Sequence, residues 1–355
     1  MFYSKLRSLL FLYIDFVRRY YFFKTYAPYL SHKRLKALKA LGKEGYANQE
    51  PCTISFLQEN DIPRSFLTKL VLYPLKHTLT LRGTQEKLSG DLILKTVNGD
   101  VKIFSFSEKL VLNFLADKHK YHELKVIYDY YGRFFQTPII NSNDELHCFT
   151  ENLIDHVPFD QLTDAQHQQI LQALLDATKE HVAELDKENL KMLETKELIA
   201  DFKQCFNSYN NSIINRLLTI ASTGHIEDKI PLIPCHGDPQ KNNVLLRNDE
   251  VYFIDWEYAQ DYVFYYDPIY MLIEPHIYRP TSNVAVEPFT EHNIQALQEL
   301  FLLFDLNLTW KNMSYYLALA LMQRLIQAKE NGNSNINYDL ECFEQFWKYF
   351  EKNYN

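Results

Sequence analysis

The chain has 355 residues, 46% of them hydrophobic and 23% charged, enough apolar content for one large core or two moderate ones and too much for a disordered chain. Its 9 glycines fall far below the ~25 that average usage implies, which excludes collagen-like and glycine-repeat architectures. Five cysteines (Cys52, Cys148, Cys205, Cys235 and Cys342) stand far apart without a CxxC pair, so the sequence gives no support to a zinc knuckle or a disulfide framework and points to a reducing, cytoplasmic setting. The net charge of -8 is uneven: residues 1–43 hold ten bases and one acid, Asp15, for +9, and the remainder carries -17. A basic arm on an acidic body argues against a nucleic-acid partner.

Residues 1–43 read as helical, with Leu6, Leu9, Leu10, Tyr13, Phe16 and Val17 recurring at three- and four-residue intervals. The apolar run Leu9 to Val17 is interrupted by Asp15 and falls short of the ~20 residues a spanning helix needs. Bulky aromatics and Arg18-Arg19 follow it where a signal peptide would carry small residues. Two uses of the arm stay open: an interfacial helix in peripheral contact with an anionic membrane, at its inner face, or a helix packed on the acidic body. Vesicle binding that survives deletion of residues 1–43 would exclude the first.

Residues 44–70 are mixed, and the stretches LVLYPL and HTLTLRG after them alternate like strands. DLILKT and VKIFSFS flank an Asn98-Gly99 turn and predict a hairpin. Ser107 is expected to cap a helix, SEKLVLNFLADK, with Leu110, Val111, Phe114 and Leu115 on one face. A further strand pair is expected around FFQTPII and ELHCFTENL, then helices from about Gln161 to Ser222, a strand-rich interruption at 231–256, and closing helices that include MSYYLALALMQRLIQAKEN. Sheet first and helices second imply an α+β protein in two lobes. His119 and His122 share a helix face without a nearby carboxylate motif and read as a solvated helix end rather than a metal site.

The chemistry concentrates in Pro234-Cys-His-Gly-Asp-Pro-Gln-Lys-Asn-Asn-Val-Leu-Leu246 and Val251-Tyr-Phe-Ile-Asp-Trp-Glu-Tyr-Ala259. The apolar stretches VLL and VYFI set Asn243 and Asp255 at the two ends of a short hairpin, where their oxygens can converge on one cation. Carboxylate, carboxamide and water oxygens are what Mg²⁺ prefers, in company with substrate phosphates. Asp238, five residues before Asn243, would then face a nucleophile. A base, a metal pair and a phosphate-binding lysine make up the logic of phosphoryl transfer.

His236-Gly237-Asp238 with Asn243, followed by Ile254-Asp255-Trp256-Glu257, resembles the HGDxxxxN and IDWE signatures of the aminoglycoside phosphotransferase and choline kinase family. The resemblance implies a bilobal protein kinase-like fold: a small antiparallel-sheet N-lobe at 71–155, a larger, mainly helical C-lobe at 156–355, and here a basic helical N-terminal extension at 1–70. It implies an ATP- and Mg²⁺-dependent kinase that phosphorylates a small-molecule hydroxyl by direct in-line transfer. On it, Asp238 is the catalytic base with His236 supporting the loop, and Asn243 and Asp255 bind Mg²⁺. Asp267, in Tyr266-Asp267-Pro268, orders the loop or caps a helix. In the N-lobe it assigns the phosphates to Lys102, with Lys95 as substitute, and pairs Lys102 with Glu108. Ser89 and Gly90 stand for a covering loop reduced from GxGxxG, and Glu151 and Leu153 for the hinge that meets adenine.

Gln240 and Glu257-Tyr258-Ala259 lean toward choline or ethanolamine as acceptor, and Gly237 toward antibiotics and sugars, including a glycan precursor. The alternative of another class is a pseudokinase serving as a binding module or scaffold, which the poor glycine loop would permit. Oligomeric state has no signal in the sequence.

Overall fold

The computed structural model describes residues 26–30, 36–40, 43–47, 88, 90–96 and 99–354 except 225, 241, 279–286 and 331–335. The chain divides into two compact units, residues 1–126 with 138–155 and residues 127–137 with 156–355.

The first unit is built on one antiparallel sheet. Strands β1 (Lys36–Ala40), β2 (Lys43–Ala47), β3 (Leu92–Lys95), β4 (Val101–Ser105) and β5 (Leu110–Phe114) run side by side, followed in space by β7 (Cys148–Asn152) and then β6 (Ile139–Asn143). The β3–β4 hairpin forms as expected, with Gly99 at φ 90 in its turn. Two expectations are corrected here. Residues 36–40 and 43–47 are strands of the sheet, where a helix was expected to run to residue 43. The arm upstream of Tyr26, the strands expected at 70–83, and Ser89 lie outside the described residues.

The helix expected from Ser107 is also a strand. A tight turn with Lys109 at φ 56 leads into β5, which is laddered to β4 on one side and β7 on the other. A short apolar run fits either period, and pairing on both edges decided for the strand. Glu108 therefore sits exposed in a hairpin turn, its N–H donating to Ser105 Oγ, rather than on a helix. The helix begins ten residues later as α1 (Lys118–Tyr131), where Asp117 Oδ1 accepts the His119 N–H at 2.8 Å. A buried cluster of Leu88, Ile93, Val101, Ile103 and Phe114 with Tyr29 and Leu30 forms the core of this unit.

The second unit is mainly helical: α2 (Asp164–Glu184), α3 (Thr195–Cys205), α4 (Ser212–Thr223), α5 (Tyr266–Tyr278), α6 (Glu291–Leu302), α7 (Trp310–Glu330) and α8 (Ile336–Tyr354). Thr163 and Gln166 close a capping box that starts α2. Short strands β8 (Met192–Glu194), β9 (Lys229–Cys235) and β12 (Gln260–Val263) form one sheet in the order β12-β9-β8, and β10 (Val244–Arg247) pairs with β11 (Glu250–Phe253). The main core surrounds α7, which buries residues from Met313 to Leu325. A second cluster, with Trp256, Phe253, Val244, Leu174 and Tyr131, lies under the β10–β11 hairpin. Among the described residues no helix is long and apolar enough to cross a membrane. An antiparallel-sheet unit followed by a mainly helical one is the α+β content expected of the protein kinase-like fold.

Candidate active site

Strand β9 runs buried to Cys235 and delivers the chain into a loop that turns on Gly237, at φ 82. A Cβ at this position would collide with the Tyr258 carbonyl and the Tyr262 ring, so both conformation and space demand glycine. Asp267, in the first turn of α5, fixes the loop from below: its Oδ2 accepts the His236 N–H at 2.6 Å and its Oδ1 the Gly237 N–H at 2.9 Å. Of the two roles expected for Asp267, ordering the loop is the one these bonds support. Burial pushes its carboxyl up to about 7, against the pull of the two donors.

His236 is fully buried and lies against the Trp256 ring, with centroids 4.4 Å apart. Its Nδ1 accepts the Asp238 N–H at 3.3 Å, which leaves Nε2 to donate to the Ile254 carbonyl at 2.9 Å. One ring thus ties the loop to the far side of the hairpin. Desolvation brings its pKa down to about 4, so the neutral tautomer this bonding requires is the stable one near pH 7.

Asp238 is only 4% exposed, yet both of its carboxylate oxygens are met by donors. Oδ2 accepts from Gln240 Nε2 at 2.9 Å and Asn243 Nδ2 at 3.1 Å, and Oδ1 from an Arg324 guanidinium nitrogen at 3.1 Å. Burial raises the pKa of this carboxyl and the Arg324 charge opposes the rise.

The β10–β11 hairpin closes through Asn248 and Asp249, both at positive φ, with Arg247 opposite Glu250. That is the two-residue turn that matches strand twist, and it fixes the register. One step beyond the last pair, the Ile254 N–H donates to the Asn243 carbonyl at 2.9 Å. The open end of the hairpin therefore carries Asn243 and Asp255 side by side in the chain's path. Asn243 commits its nitrogen to the Asp238 carbonyl and carboxylate, so its side-chain oxygen is the group left to face a ligand. Asp255 is held in the left-handed region at φ 65, and its side chain caps nothing in the helical turn that follows. A non-glycine residue there stores strain of order 1 kcal/mol, the kind of cost that collects at functional sites. A carboxamide and a carboxylate oxygen together suit a hard cation.

Of the residues singled out in the sequence, His236, Asp238, Asn243, Asp255 and Asp267 come together in the second unit. Lys102 lies in the middle of β4, opposite Leu94 and Asn113, and Lys95 at the exposed end of β3. Gly90 opens β3, its N–H donating to the Tyr29 carbonyl, and a Cβ there would come within 2.5 Å of that oxygen and of the Ile103 side chain. Its smallness is thus required by packing. Glu151 accepts a long bond from Asn113 Nδ2 within the sheet, and the Leu153 N–H is taken by the Lys109 carbonyl.

Sequence reasoning missed Arg324, on α7 and 86 residues after Asp238. The available signal was an arginine next to Gln323 inside an otherwise apolar helical stretch, where a charge needs a buried partner.

Residues 154–300, which contain this whole loop and hairpin, match the model of a family described as "Phosphotransferase enzyme family". Over these residues the chain is similar to that family. The family's members are phosphotransferases that act on hydroxyl groups of small molecules. No curated protein shows significant similarity to the chain. Similar solved structures include a choline/ethanolamine kinase family protein from Mesorhizobium loti, at 14% identity over 71% of this chain and 85% of that one, TM-score 0.44. They also include the GDP and kanamycin complex of APH(2")-IIia, at 14% identity over 72% and 90%, TM-score 0.46. Spectinomycin phosphotransferase APH(9)-Ia with ADP and spectinomycin is similar at 18% identity over 70% and 84%, TM-score 0.39.

Proposed function

We propose that the protein is an ATP- and Mg²⁺-dependent kinase that transfers a phosphoryl group directly to a hydroxyl of a small molecule, a sugar or glycan precursor or an amino alcohol. The observation that carries this reading is the junction at residues 236–243 and 254–255: one buried carboxylate whose oxygens are oriented by three donors, beside a carboxamide and carboxylate pair.

Asp238 is the base. Fixed by Gln240, Asn243 and Arg324, it presents an aligned lone pair to the acceptor hydroxyl and takes its proton as the new bond forms. Asn243 Oδ1 and Asp255 are the protein oxygens that would hold Mg²⁺, which when bound neutralises charge on the phosphates. His236 works as a positioning residue, since both of its nitrogens are committed to the loop and hairpin. Lys102 is proposed to steady the phosphates, with the Ser89–Gly90 segment and the Glu151–Leu153 segment on the nucleotide side. Glu108, carried in a turn rather than on a helix, is proposed as the ion-pair partner of Lys102.

The test joins binding to chemistry. ATP with Mg²⁺ is expected to raise the thermal midpoint and ATP with EDTA is not; at 100 times the Kd the gain is about 2.7 kcal/mol. With an acceptor found among sugars, choline and ethanolamine, Asp238→Ala should lower kcat by about 10²–10⁴ and keep the MgATP shift, whereas Asp255→Ala should lose the shift. Full activity in Asp238→Ala would sink the mechanism.

A further inference from the structure

The base does not stand on its own loop alone. Arg324 reaches it from α7, and its guanidinium donates to Asp238 Oδ1 at 3.1 Å, to the Gly237 carbonyl at 3.4 Å and to Gln327 Oε1 at 3.4 Å. The same group lies 4.9 Å over the Tyr270 ring of α5, and Tyr266 of that helix directs its hydroxyl at the Gly237 carbonyl. The Arg324 side chain is 18% exposed and the Asp238 side chain 6%, so the pair is largely shielded from water. Both partners belong to the second unit.

A planar guanidinium held on two sides has one orientation, and here its two terminal nitrogens divide between Asp238 Oδ1 and the Gly237 carbonyl. Gln240 and Asn243 both act on Oδ2 and leave Oδ1 without a restraint from the loop itself. Arg324 supplies that second restraint. By holding the Gly237 carbonyl as well, it fixes the backbone at the glycine on which the loop turns.

We propose that Arg324 is a positioning residue for the transfer step: it locks the Asp238 carboxylate and the Gly237 peptide in the geometry that meets the acceptor hydroxyl, and it does so from the core helix α7, outside the catalytic loop and hairpin. This inference rests on Asp238 being the base. It makes the helical core part of the catalytic apparatus, with Gln327 and Tyr270 holding the arginine that holds the base.

Three measurements on the full chain test it. In Arg324→Ala, kcat for the acceptor should fall by about 10²-fold, the scale of a small misplacement of a reacting group, with the KM for MgATP unchanged. Arg324→Lys, which keeps the charge without the fork, should retain intermediate activity, and guanidinium ion added to Arg324→Ala should restore part of kcat. Hydrogen exchange of the peptide covering 236–243 should quicken in Arg324→Ala while peptides from α2 keep their protection. Wild-type kcat in Arg324→Ala, or unchanged protection of 236–243, overturns the proposal. A raised acceptor KM with unchanged kcat overturns it too, and makes Arg324 an acceptor-binding group. Faster exchange of 236–243 in a protein that phosphorylates no hydroxyl would overturn the kinase reading and, with it, the catalytic role of Arg324, leaving only a structural restraint on the loop.

Discussion

At the scale of single residues, Asp267 does more for the site than its place in a helix's first turn suggests. Its two oxygens satisfy the backbone N–H groups of His236 and Gly237, both buried, which no other acceptor replaces. Asp267→Ala leaves two buried donors unpaired and is expected to cost roughly 2–5 kcal/mol, read as a lower urea midpoint. Asp267→Asn keeps one acceptor oxygen and should cost about half as much. Equal loss in the two variants would mean that charge rather than hydrogen bonding is what the loop needs. The sequence offered Asp267 two roles and could not choose, because a separation of 30 positions from Gly237 hides that the pair touch. His236 was legible as loop support. Its tautomer was not, since it follows from the Ile254 carbonyl across the hairpin.

At the scale of elements, the hairpins were legible and the stretch between them was misread. Gly99 at the β3–β4 turn and Asn248-Asp249 at the β10–β11 turn take positive φ, as their residue types allow, so the strands on either side follow. The segment 107–118 carries no such mark. Its leucines satisfy a helical face as well as a strand, and the outcome depended on free edges offered by β4 and β7. Gly90 shows the same dependence. Sequence put it in a phosphate-covering loop, whereas its lack of a side chain lets the Tyr29–Leu30 segment bridge onto the start of β3. Gly90→Ala is expected to destabilise the protein by about 1–3 kcal/mol through overpacking, measured by urea unfolding. A neutral Gly90→Ala would show that the bridge tolerates a methyl group at this position.

For the molecule as a whole, buried imidazoles set how stability responds to acid. His181 is 1% exposed on α2, bonded to the Tyr130 hydroxyl at 2.8 Å, and burial lowers its pKa to about 4 from 6.5. Between those values the unfolded chain binds a proton that the native one refuses, so the contribution is complete above pH 6.5 and is lost as pH falls toward 4. Asp267 titrates in the opposite sense, its carboxyl raised to about 7, and the difference between two proteins removes it from the comparison. Wild type should therefore lose about 2 kcal/mol more than His181→Gln on going from pH 7 to pH 5, by urea titration at each pH. Identical losses would show that His181 is protonated in the fold.

What the sequence determined by itself is what lies within a few residues of its cause. Gly237 and the turn-forming pair Asn248-Asp249 shape the loop at 236–243 and the hairpin after it, and the oxygen-bearing side chains are fixed to that frame. The tertiary structure alone decided which distant groups complete it: Asp267 beneath the loop, Arg324 against the base, and two strand edges that turned a possible helix into β5. Local backbone preference acts over single turns of chain. The partner of a buried charge is selected by the packing of whole helices, and α7 brings an arginine to Asp238 only once its apolar faces are buried around it.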